Sequence, residues 1–370
     1  MVRQLWRMAG HRAASIGTLG VTTSDESVST GLTTPDIVTF LANMAGLARE
    51  GVTHVAYEAS SHGLSQYRNE GLRVVAGAFT NLSRDHLDYH ADMDDYFAAK
   101  MRLFDEVVDA DGTAVVWTDD EWSDRAVGHA ARRGLKLLGV GARAGADGIR
   151  LTGRTPTQLG QTLELEWQGQ PRKVNLPLIG AYQAANALVS AGLVIASGGA
   201  AARTLDALAR LQPVRGRLER APTRRGGAPD CVDYERPPRA RGPAMAALRP
   251  HGAGRVIVVF GAGGDRDSGK RAPMGRVVAE QADLGIVTDD NPRGEEAAAI
   301  RAAVLAGGNG ILREVGDRRA AIAAAIAEAG KADIVLVASK GHEQGQIVGV
   351  GENCRVLPFD DVAVARECAA

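Results

Sequence analysis

Apolar runs of strand length alternate with segments of helical period through the first half of the chain. The runs predict strands at Ala14–Gly20, Val52–Glu58, Val74–Thr80, Thr113–Thr118 and Leu135–Gly141. The helical segments are Ile37–Glu50, Met93–Val107 and the alanine-rich Tyr182–Gly198. This alternation favours a parallel sheet covered by helices, to which Leu163–Trp167 and Lys173–Leu178 add an antiparallel pair.

The second half of the chain repeats the alternation. Strands are predicted at Val256–Phe260, Leu284–Thr288, Ile311–Val315 and Asp333–Ala338, and helices between them include Glu295–Leu305 and Arg318–Ala329. The basic stretch Gln212–Arg220 contains proline and glycine and lacks periodicity, so we place a domain boundary there. The fold class is therefore α/β, with one parallel-sheet domain over residues 1–212 and a doubly wound domain over residues 213–370.

Composition narrows the class of protein. A chain of 370 residues with 45% apolar and 24% charged residues is expected to form two globular domains. Its net charge of −1 predicts no nucleic-acid partner, and the absence of a long apolar run predicts no membrane insertion. The three cysteines lack metal-binding spacing, and Met1–Gly20 does not read as a signal peptide. These features predict a cytoplasmic protein.

Five polar clusters follow predicted strands, where open α/β sheets bind their ligands. A single polar cluster is more often an ordinary loop, but five at strand ends indicate a functional edge in each domain. The clusters are Glu58–His62, Asn81–His86, Gly261–Arg266, Asp289–Arg293 and Ser339–Glu343.

The first two clusters indicate a metal. Glu58, His62 and His86 follow neighbouring predicted strands, and Mg²⁺ needs few protein ligands when phosphates and water complete its shell. Taken singly, each histidine is better explained as a partly buried imidazole with satisfied hydrogen bonds. Lys100, one of only six lysines among 43 basic residues, lies on the following helix after Tyr96. A free ammonium there would be repelled by a cation unless the amine is modified to an anion.

The clusters of the second half indicate anion and amino-acid binding. Gly264–Lys270 fits the first seven positions of the phosphate loop GxxxxGK[ST], but Arg271 stands at the eighth. We interpret this loop as an anion site made of backbone N–H groups with Arg266 and Lys270. Asn291 and Arg293 can bind an amino-acid head group, the guanidinium taking the carboxylate and the amide the ammonium. The alternative is a turn that leads into a helix at Glu295.

These motifs, in this order, resemble the Mur ligases of peptidoglycan synthesis. The segments that carry the resemblance are Thr33–Asp36, Tyr57–Arg68, Phe79–His90, Lys100–Phe104, Gly264–Asp267, Asp290–Glu295 and Lys340–Glu343. The resemblance implies a central P-loop-type ATPase domain followed by a Rossmann-like domain. It also implies ATP-dependent addition of meso-2,6-diaminopimelate to UDP-N-acetylmuramoyl-L-alanyl-D-glutamate. The reaction passes through an acyl phosphate that the amine of the incoming amino acid attacks.

The resemblance assigns roles by position. It implies Mg²⁺ binding by Glu58 and His86, with Lys100 as a carbamylated lysine; Lys100 and His86 are the implied catalytic pair. Contacts to the nucleotide-sugar peptide are implied for Thr33, Thr34, Ser60, Gln66 and Arg68. ATP contacts are implied for Asn81, Asn186 and Arg217. Contacts to diaminopimelate are implied for Arg266, Asp290, Asn291, Arg293 and Glu343.

The chain also departs from the family pattern. No GxxxxGK[ST] occurs in it, so we expect a truncated chain that begins inside the helix after that loop. We also expect this chain to be a monomer and not to turn over ATP as given. The Arg- and Pro-rich stretch 235–243 suggests a local reading-frame slip, and Ser339 replaces a glycine that would back the amino-acid site. Two alternatives stay open: a non-catalytic remnant that binds precursor or amino acid, and a folate polyglutamate ligase.

Overall fold

The computed structural model describes the chain except for residues 24–25, 29–30, 222–229, 234–244, 309, 342 and 370. The stretch 235–243 and His342, both singled out above, therefore lie outside the described residues. The described residues form two compact units. The first contains Met1–Thr155, Thr162–Leu176 and Tyr182–Gln212, and the second contains Pro156–Gln161, Pro177–Ala181 and Pro213–Ala370.

Two short segments that the sequence placed in the first domain belong to the second unit. Buried His251 explains this difference. Its Nδ1 donates to the carbonyl of Thr157 over 2.7 Å, and its Nε2 accepts from the backbone N–H of Gly180 over 3.1 Å. Gln161 donates from Nε2 to the carbonyls of Leu178 and Gly180 and so joins the two segments to each other.

The first unit holds seven helices among its described residues, and two sheets. The helices are α1 (Val2–Met8), α2 (Ile37–Arg49), α3 (Ser61–Ser65), α4 (Met93–Arg102), α5 (Ser123–Arg132), α6 (Ala181–Ala196) and α7 (Ala201–Ala207). The strands of the smaller sheet are β1 (Ala13–Gly17), β2 (Gly20–Thr22), β3 (Ser27–Val28) and β4 (His54–Tyr57), in the order β3-β2-β1-β4.

The predicted strand Ala14–Gly20 is in fact two strands. The chain turns back at Thr18 and Leu19, where Gly20 has a φ of +83° that favours glycine. Because β1 pairs in parallel with β4, Ile16 opposite Tyr57, this turn lies beside the residues that follow β4.

The larger sheet of the first unit has the order β10-β9-β8-β7-β6-β5. Its strands are β5 (Val74–Phe79), β6 (Val108–Trp117), β7 (Lys136–Gly141), β8 (Ile149–Thr157), β9 (Gly160–Trp167) and β10 (Gln170–Leu176). The expectation that Glu58 and His86 follow neighbouring strands is wrong, since β4 and β5 belong to different sheets. The predicted helix Met93–Val107 ends at Arg102 and continues as a π-helical turn, Leu103–Val107.

The second unit is built on a six-stranded sheet in the order β11-β12-β16-β13-β14-β15. The strands are β11 (Glu219–Ala221), β12 (Asp230–Asp233), β13 (Val256–Phe260), β14 (Leu284–Val287), β15 (Leu312–Glu314) and β16 (Ile334–Ala338). A separate hairpin consists of β17 (Gly345–Val348) and β18 (Arg355–Pro358). Among the described residues, the helices of this unit include α8 (Arg271–Gln281), α9 (Ala297–Leu305), α10 (Arg318–Glu328) and α11 (Asp361–Ala369).

The core of this sheet follows from its apolar runs. Every residue of β13 and β16 is buried, as expected for the central strands of a parallel sheet with both faces covered. Helices α10 and α11 cover one face, where Ile322 and Ala365 pack against Val259 and Val337. Burial of these strands fixes where their carboxyl ends lie, and the polar loops that leave those ends carry the predicted site residues.

Candidate functional site

The carboxylate of Glu58 is held in place by Thr18. Its Oε2 accepts from the backbone N–H of Thr18 over 3.3 Å and from the Thr18 hydroxyl over 3.0 Å. Gly17 leaves room for this carboxylate, because a Cβ there would lie only 3.0 Å from the same oxygen. Thr18 was missed in the sequence, since only the pairing of β1 with β4 brings it next to a residue 40 positions later.

Thr33, Thr34 and Ser60 form a hydroxyl network around the same strand end. Thr34 donates from Oγ1 to the carbonyl of Glu58 over 2.8 Å and accepts from the backbone N–H of Ser60 over 3.0 Å. Ser60 caps α3 by accepting from the N–H of Gly63. The Thr33 hydroxyl lies 3.0 Å from that of Thr18. These predicted substrate residues are therefore brought together.

Arg68 and Gln66 extend this network. Arg68 donates from Nη1 to the carbonyl of Thr34 over 2.8 Å and from Nε to Oε1 of Gln66 over 3.0 Å. Gln66 in turn donates from Nε2 to the hydroxyl of Tyr89. All five residues assigned to the nucleotide-sugar peptide thus belong to one hydrogen-bonded group.

His86 lies on the loop after β5 and faces His62. The two rings meet edge to face with centroids 5.0 Å apart. Burial, reinforced by the neighbouring imidazoles of His86 and His90, lowers the pKa of His62. His86 adopts a φ of +54°, and its backbone N–H donates to Oδ1 of Asp85 over 2.8 Å. His90, in contrast, is buried, and its Nε2 is hydrogen-bonded to Ser61 Oγ at 3.0 Å. His90 therefore has the structural role of a buried histidine with a hydrogen-bond partner.

Within the described part of the chain, no group of three or more His, Cys, Asp or Glu side chains could hold a metal ion. The predicted set of Glu58, His86 and Lys100 therefore makes no closed metal cage. Mg²⁺ is compatible with so few ligands, because it retains water and substrate phosphate oxygens in its shell.

Lys100 is half-buried on α4, with its Nζ 5.1 Å from the centroid of the Tyr96 ring. Burial lowers the pKa of Lys100, and the negative charges of Glu58 and Asp85 partly oppose this effect. The described contacts include no hydrogen bond or ion pair to this amine. The same burial raises the pKa of Tyr96 to about 12, with Asp85 adding to the increase.

The residues assigned to ATP lie in both units, Asn81 and Asn186 in the first and Arg217 in the second. Asn81 is exposed after β5, and Asn186 is half-buried on α6, where its carbonyl accepts from the hydroxyl of Ser190. Arg217 is exposed in the second unit, and its backbone N–H donates to the carbonyl of Val214. Their roles stay predictions.

The phosphate-loop-like segment of the second unit binds an anion that belongs to the chain itself. Oε1 of Glu295 accepts from the backbone N–H of Asp265 over 2.6 Å and from Nη2 of Arg271 over 2.7 Å. These contacts lower the pKa of Glu295. Arg266 is exposed, and Lys270 lies 3.7 Å from the carboxylate of Asp267. The interpretation of this loop as an external anion site is therefore revised: one of its backbone donors already holds a carboxylate.

The same segment supports Arg293. The backbone N–H of Gly264 donates to the carbonyl of Asn291 over 2.9 Å, and Nη1 of Arg293 donates to the carbonyl of Gly264 over 2.8 Å. Arg293 adopts a φ of +52°, and its N–H donates to the carbonyl of Ile347 in the hairpin. The alternative of a turn that leads into a helix is also present, since the N–H of Glu295 donates to the carbonyl of Pro292 and α9 begins two residues later, at Ala297.

Asn291 lies at the centre of the predicted amino-acid site, but its side chain is already bonded. Its Oδ1 accepts from Nζ of Lys340 over 2.8 Å and from the backbone N–H of Ile347 over 2.9 Å. Its Nδ2 donates to Oε2 of Glu343 over 3.0 Å. An amide oxygen has two lone pairs, so the expectation that Asn291 accepts from a ligand ammonium does not fit this geometry.

Asp290 and Ser339 are buried beside this group. Oδ1 of Asp290 lies 3.3 Å from Nζ of Lys340. Burial lowers the pKa of Lys340, and Asp290 opposes that change. The hydroxyl of Ser339 bonds to the backbone of Gly261, donating to its carbonyl over 2.9 Å. The Ser339 hydroxyl is therefore turned to the end of β13.

Residues 1–194 match the family model of the Mur ligase middle domain, and residues 216–341 match that of the Mur ligase, glutamate ligase domain. The chain belongs to the Mur ligase family, a family of ATP-dependent ligases. The resemblance stated from the motifs and the α/β fold class are therefore confirmed. No helix of the described residues is long and apolar enough to cross a membrane.

Individual members of the family and solved structures are also similar to this chain. A UDP-N-acetylmuramoyl-L-alanyl-D-glutamate–2,6-diaminopimelate ligase from Zymomonas mobilis is 57% identical over 367 residues, covering 99% of this chain and 75% of the relative. A solved structure of a ligase with the same name has a TM-score of 0.72 at 30% identity and covers 100% of this chain and 74% of that one. A folylpolyglutamate synthase from Mycobacterium tuberculosis has a TM-score of 0.71 at 18% identity, covering 91% and 84% of the two chains, which shows the fold alone.

Proposed function

We propose that this protein catalyses the ATP-dependent addition of meso-2,6-diaminopimelate to UDP-N-acetylmuramoyl-L-alanyl-D-glutamate. The 57% identical relative bears the name of this activity. The observation that carries the proposal is the group of Arg293 and Asn291 after β14 with Glu343 after β16, which combines carboxylate-binding and ammonium-binding side chains.

The chemistry has two steps. The side-chain carboxylate of the D-glutamate attacks the γ-phosphorus of ATP, forming an acyl phosphate and releasing ADP. An amine of diaminopimelate then attacks the acyl carbon, the C–N bond forms, phosphate leaves, and the amine loses a proton. Such phosphoryl transfer depends on positioning and on cations that neutralise developing charge.

In the first unit, the hydroxyl network positions the precursor. Thr33, Thr34 and Ser60 supply donors and acceptors, and Arg68 supplies a cation beside them, fixed by Gln66. Asn81, Asn186 and Arg217 are proposed to contact ATP by their place in the family pattern.

Mg²⁺ fits the donors of Glu58 and His86 if substrate phosphates complete its shell. Thr18 holds Oε2 of Glu58, so that Glu58 and His86 would together hold the ion. When bound, the ion would neutralise charge on the transferring phosphoryl group.

Lys100 is proposed to act as a carbamate. Its ammonium first loses one proton, the neutral amine then adds to the carbon of CO₂ with formation of a C–N bond, and a second proton is released, so that a cation becomes an anion. The half-buried position of Lys100 favours the neutral amine that this reaction needs. An anion beside Glu58 and His86 would help to retain a cation rather than repel it.

In the second unit, diaminopimelate presents an amino-acid head group to the loop after β14. The Arg293 guanidinium binds its carboxylate and Arg266 adds positive charge. Glu343 accepts a hydrogen bond from its ammonium. Asp290 forms an ion pair with the buried Lys340 and so affects the ligand only through that lysine. Lysine lacks this carboxylate, so the guanidinium would lose that charged partner, at a cost of about 2–5 kcal/mol.

The proposal is tested by offering diaminopimelate, lysine and glutamate to the protein. We expect calorimetric binding of diaminopimelate to the 370-residue chain, with lysine and glutamate weaker by about tenfold or more. Arg293→Ala should abolish this preference. Arg276→Ala is the matched control, because Arg276 is an exposed arginine on α8.

Turnover is measured in the chain itself and in the chain joined to the part of the Zymomonas relative that lies outside the match. Equal use of lysine would refute the assignment, and preference for glutamate would favour a folate-type ligase. Binding without turnover in the joined protein would favour a non-catalytic remnant. The monomeric state and the cytoplasmic location stay predictions.

A further inference from the structure

Lys340 is a fully buried cation whose ammonium faces three acceptors. Its Nζ lies 2.8 Å from Oδ1 of Asn291, 2.8 Å from the carbonyl of Gly345 and 3.3 Å from Oδ1 of Asp290. An ammonium has three hydrogens to donate and no lone pair, and it donates to Asn291 and Gly345 while Asp290 lies within ion-pair distance. Any influence of Lys340 on a ligand must pass through the groups that it holds.

Lys340 determines which way the amide of Asn291 points. The two groups that face one end of this amide, Nζ of Lys340 and the backbone N–H of Ile347, can only donate. The atom between them must therefore be the oxygen, and the NH₂ group must point to Glu343, where its distance to Oε2 is 3.0 Å. Rotation of the amide would oppose donors to donors on one side and leave a carbonyl against a carboxylate on the other.

We infer that Lys340 is a positioning residue that orients the carboxylate of Glu343 through Asn291. We call the contacts from Lys340 through Asn291 to Glu343 the relay. In the relay the Asn291 amide presents only N–H groups toward Glu343, so the acceptor for the amino group of the incoming amino acid must be the Glu343 carboxylate. The identity of that amino acid rests on the proposed function, whereas the relay itself does not.

The relay explains why a primary amine stands at this position in a chain that otherwise prefers arginine. A compact ammonium can donate in three directions from a buried site, whereas a planar guanidinium donates only within its plane. The structure thus gives a local reason for one of the six lysines of the sequence.

The relay can be tested without a ligand by NMR of the Asn291 side-chain amide. Its resonances are assigned by their loss in Asn291→Asp. In the wild-type chain we expect slow hydrogen exchange for the proton that is bonded to Glu343, and faster exchange in Glu343→Ala. Lys340→Met should have the same effect, because the amide oxygen loses its fixed donor. Lys331→Met, at an exposed lysine of the same unit, is the control and should leave the resonances unchanged.

Binding provides the second readout, with meso-2,6-diaminopimelate and with heptanedioic acid, which has both carboxylates and no amine. We expect Asn291→Asp and Lys340→Met to reduce the preference for the diamine by about tenfold, with affinity for heptanedioic acid nearly unchanged. Asn291→Asp is isosteric and keeps both acceptor bonds, so it supports the inference even if Lys340→Met does not fold.

The outcomes are distinguishable. Equal loss of both ligands in a folded Asn291→Asp chain would show a merely structural role and overturn the inference. An unchanged Asn291 amide in a folded Lys340→Met chain would do the same. If instead the wild-type chain shows no preference for the diamine while Lys340→Met alters the Asn291 amide, the relay stands and the proposed function fails.

Discussion

Arg318 and Asp361 are fully buried and are joined by two hydrogen bonds, from Nε to Oδ1 at 2.8 Å and from Nη2 to Oδ2 at 2.7 Å. The same guanidinium donates to the carbonyl of Ala338 over 2.9 Å and lies 3.4 Å from that of Asp289. The pair therefore ties together the ends of β14 and β16, where the loops of the proposed amino-acid site begin.

Removing one partner of this pair should destabilise the second unit strongly. We expect Asp361→Ala to lower the free energy of unfolding by about 3–5 kcal/mol, because it leaves an uncompensated buried charge. The double variant Arg318→Met with Asp361→Ala should lose less, since no charge is left unpaired. Urea unfolding of the three proteins measures this order. A double variant that is less stable than the single one would contradict it.

Much of the fold could be predicted because its central strands are apolar runs. Val256–Phe260 was predicted with the bounds that β13 has, since all five residues are buried on both faces. Ile149–Thr157 was missed because its exposed and half-buried positions alternate and include a proline, so the run is not apolar. Asp230–Asp233 was missed because it is only four residues long and carries charges at both ends.

The candidate site could be located from its motifs but not resolved into atoms. Sequence order placed Asn291 and Glu343 at strand ends, and this was enough to group them. It could not show that the Asn291 oxygen is already bonded, because Lys340, its donor, lies 49 positions further along the chain. Such bonds depend on the packing of β14 beside β13 and of β13 beside β16.

Gly264 should not tolerate a side chain. A Cβ at this position would lie 1.9 Å from the carbonyl oxygen of Pro292, so the Arg293 loop would have to move. We expect Gly264→Ala to cost about 1–3 kcal/mol of stability and to weaken diaminopimelate binding. Gly310→Ala is the matched control, since a Cβ there meets nothing within 4 Å. Thermal unfolding and calorimetry check both effects, and equal behaviour of the two variants would show that the loop is not constrained.

Asp333 should make stability depend on pH in the acid range. Burial raises the pKa of Asp333, but hydrogen bonds from Gly330 and Arg255 outweigh it and leave the pKa below its ordinary value of 3.8. A depressed carboxyl pKa contributes stability that is fully present above the ordinary value and is lost as the pH falls through the folded value.

The corresponding variant is Asp333→Asn. At neutral pH we expect it to lower the free energy of unfolding by about 1–3 kcal/mol, because charge-assisted bonds are lost. The gap to the wild type should narrow as the pH falls below 3.8. Glu280→Gln, at an exposed carboxylate of the same unit, should show no such gap. Urea unfolding at a series of pH values measures the gap, and a gap that does not change with pH would refute the explanation.

Ser339 combines a strained backbone with a side chain that compensates for the strain. Its φ of +96° favours glycine, and its hydroxyl both donates to the carbonyl of Gly261 over 2.9 Å and accepts from the N–H of Gly261 over 3.2 Å. Ser339→Ala keeps the strain and loses both bonds, so we expect it to cost about 1–3 kcal/mol. Ser339→Gly loses the same bonds but relieves the strain, so its stability should stay close to that of the wild type. Thermal unfolding measures the order, and diaminopimelate binding should survive in Ser339→Gly because the hydroxyl is turned to β13. An alanine variant as stable as the glycine variant would show that the backbone at Ser339 is not strained.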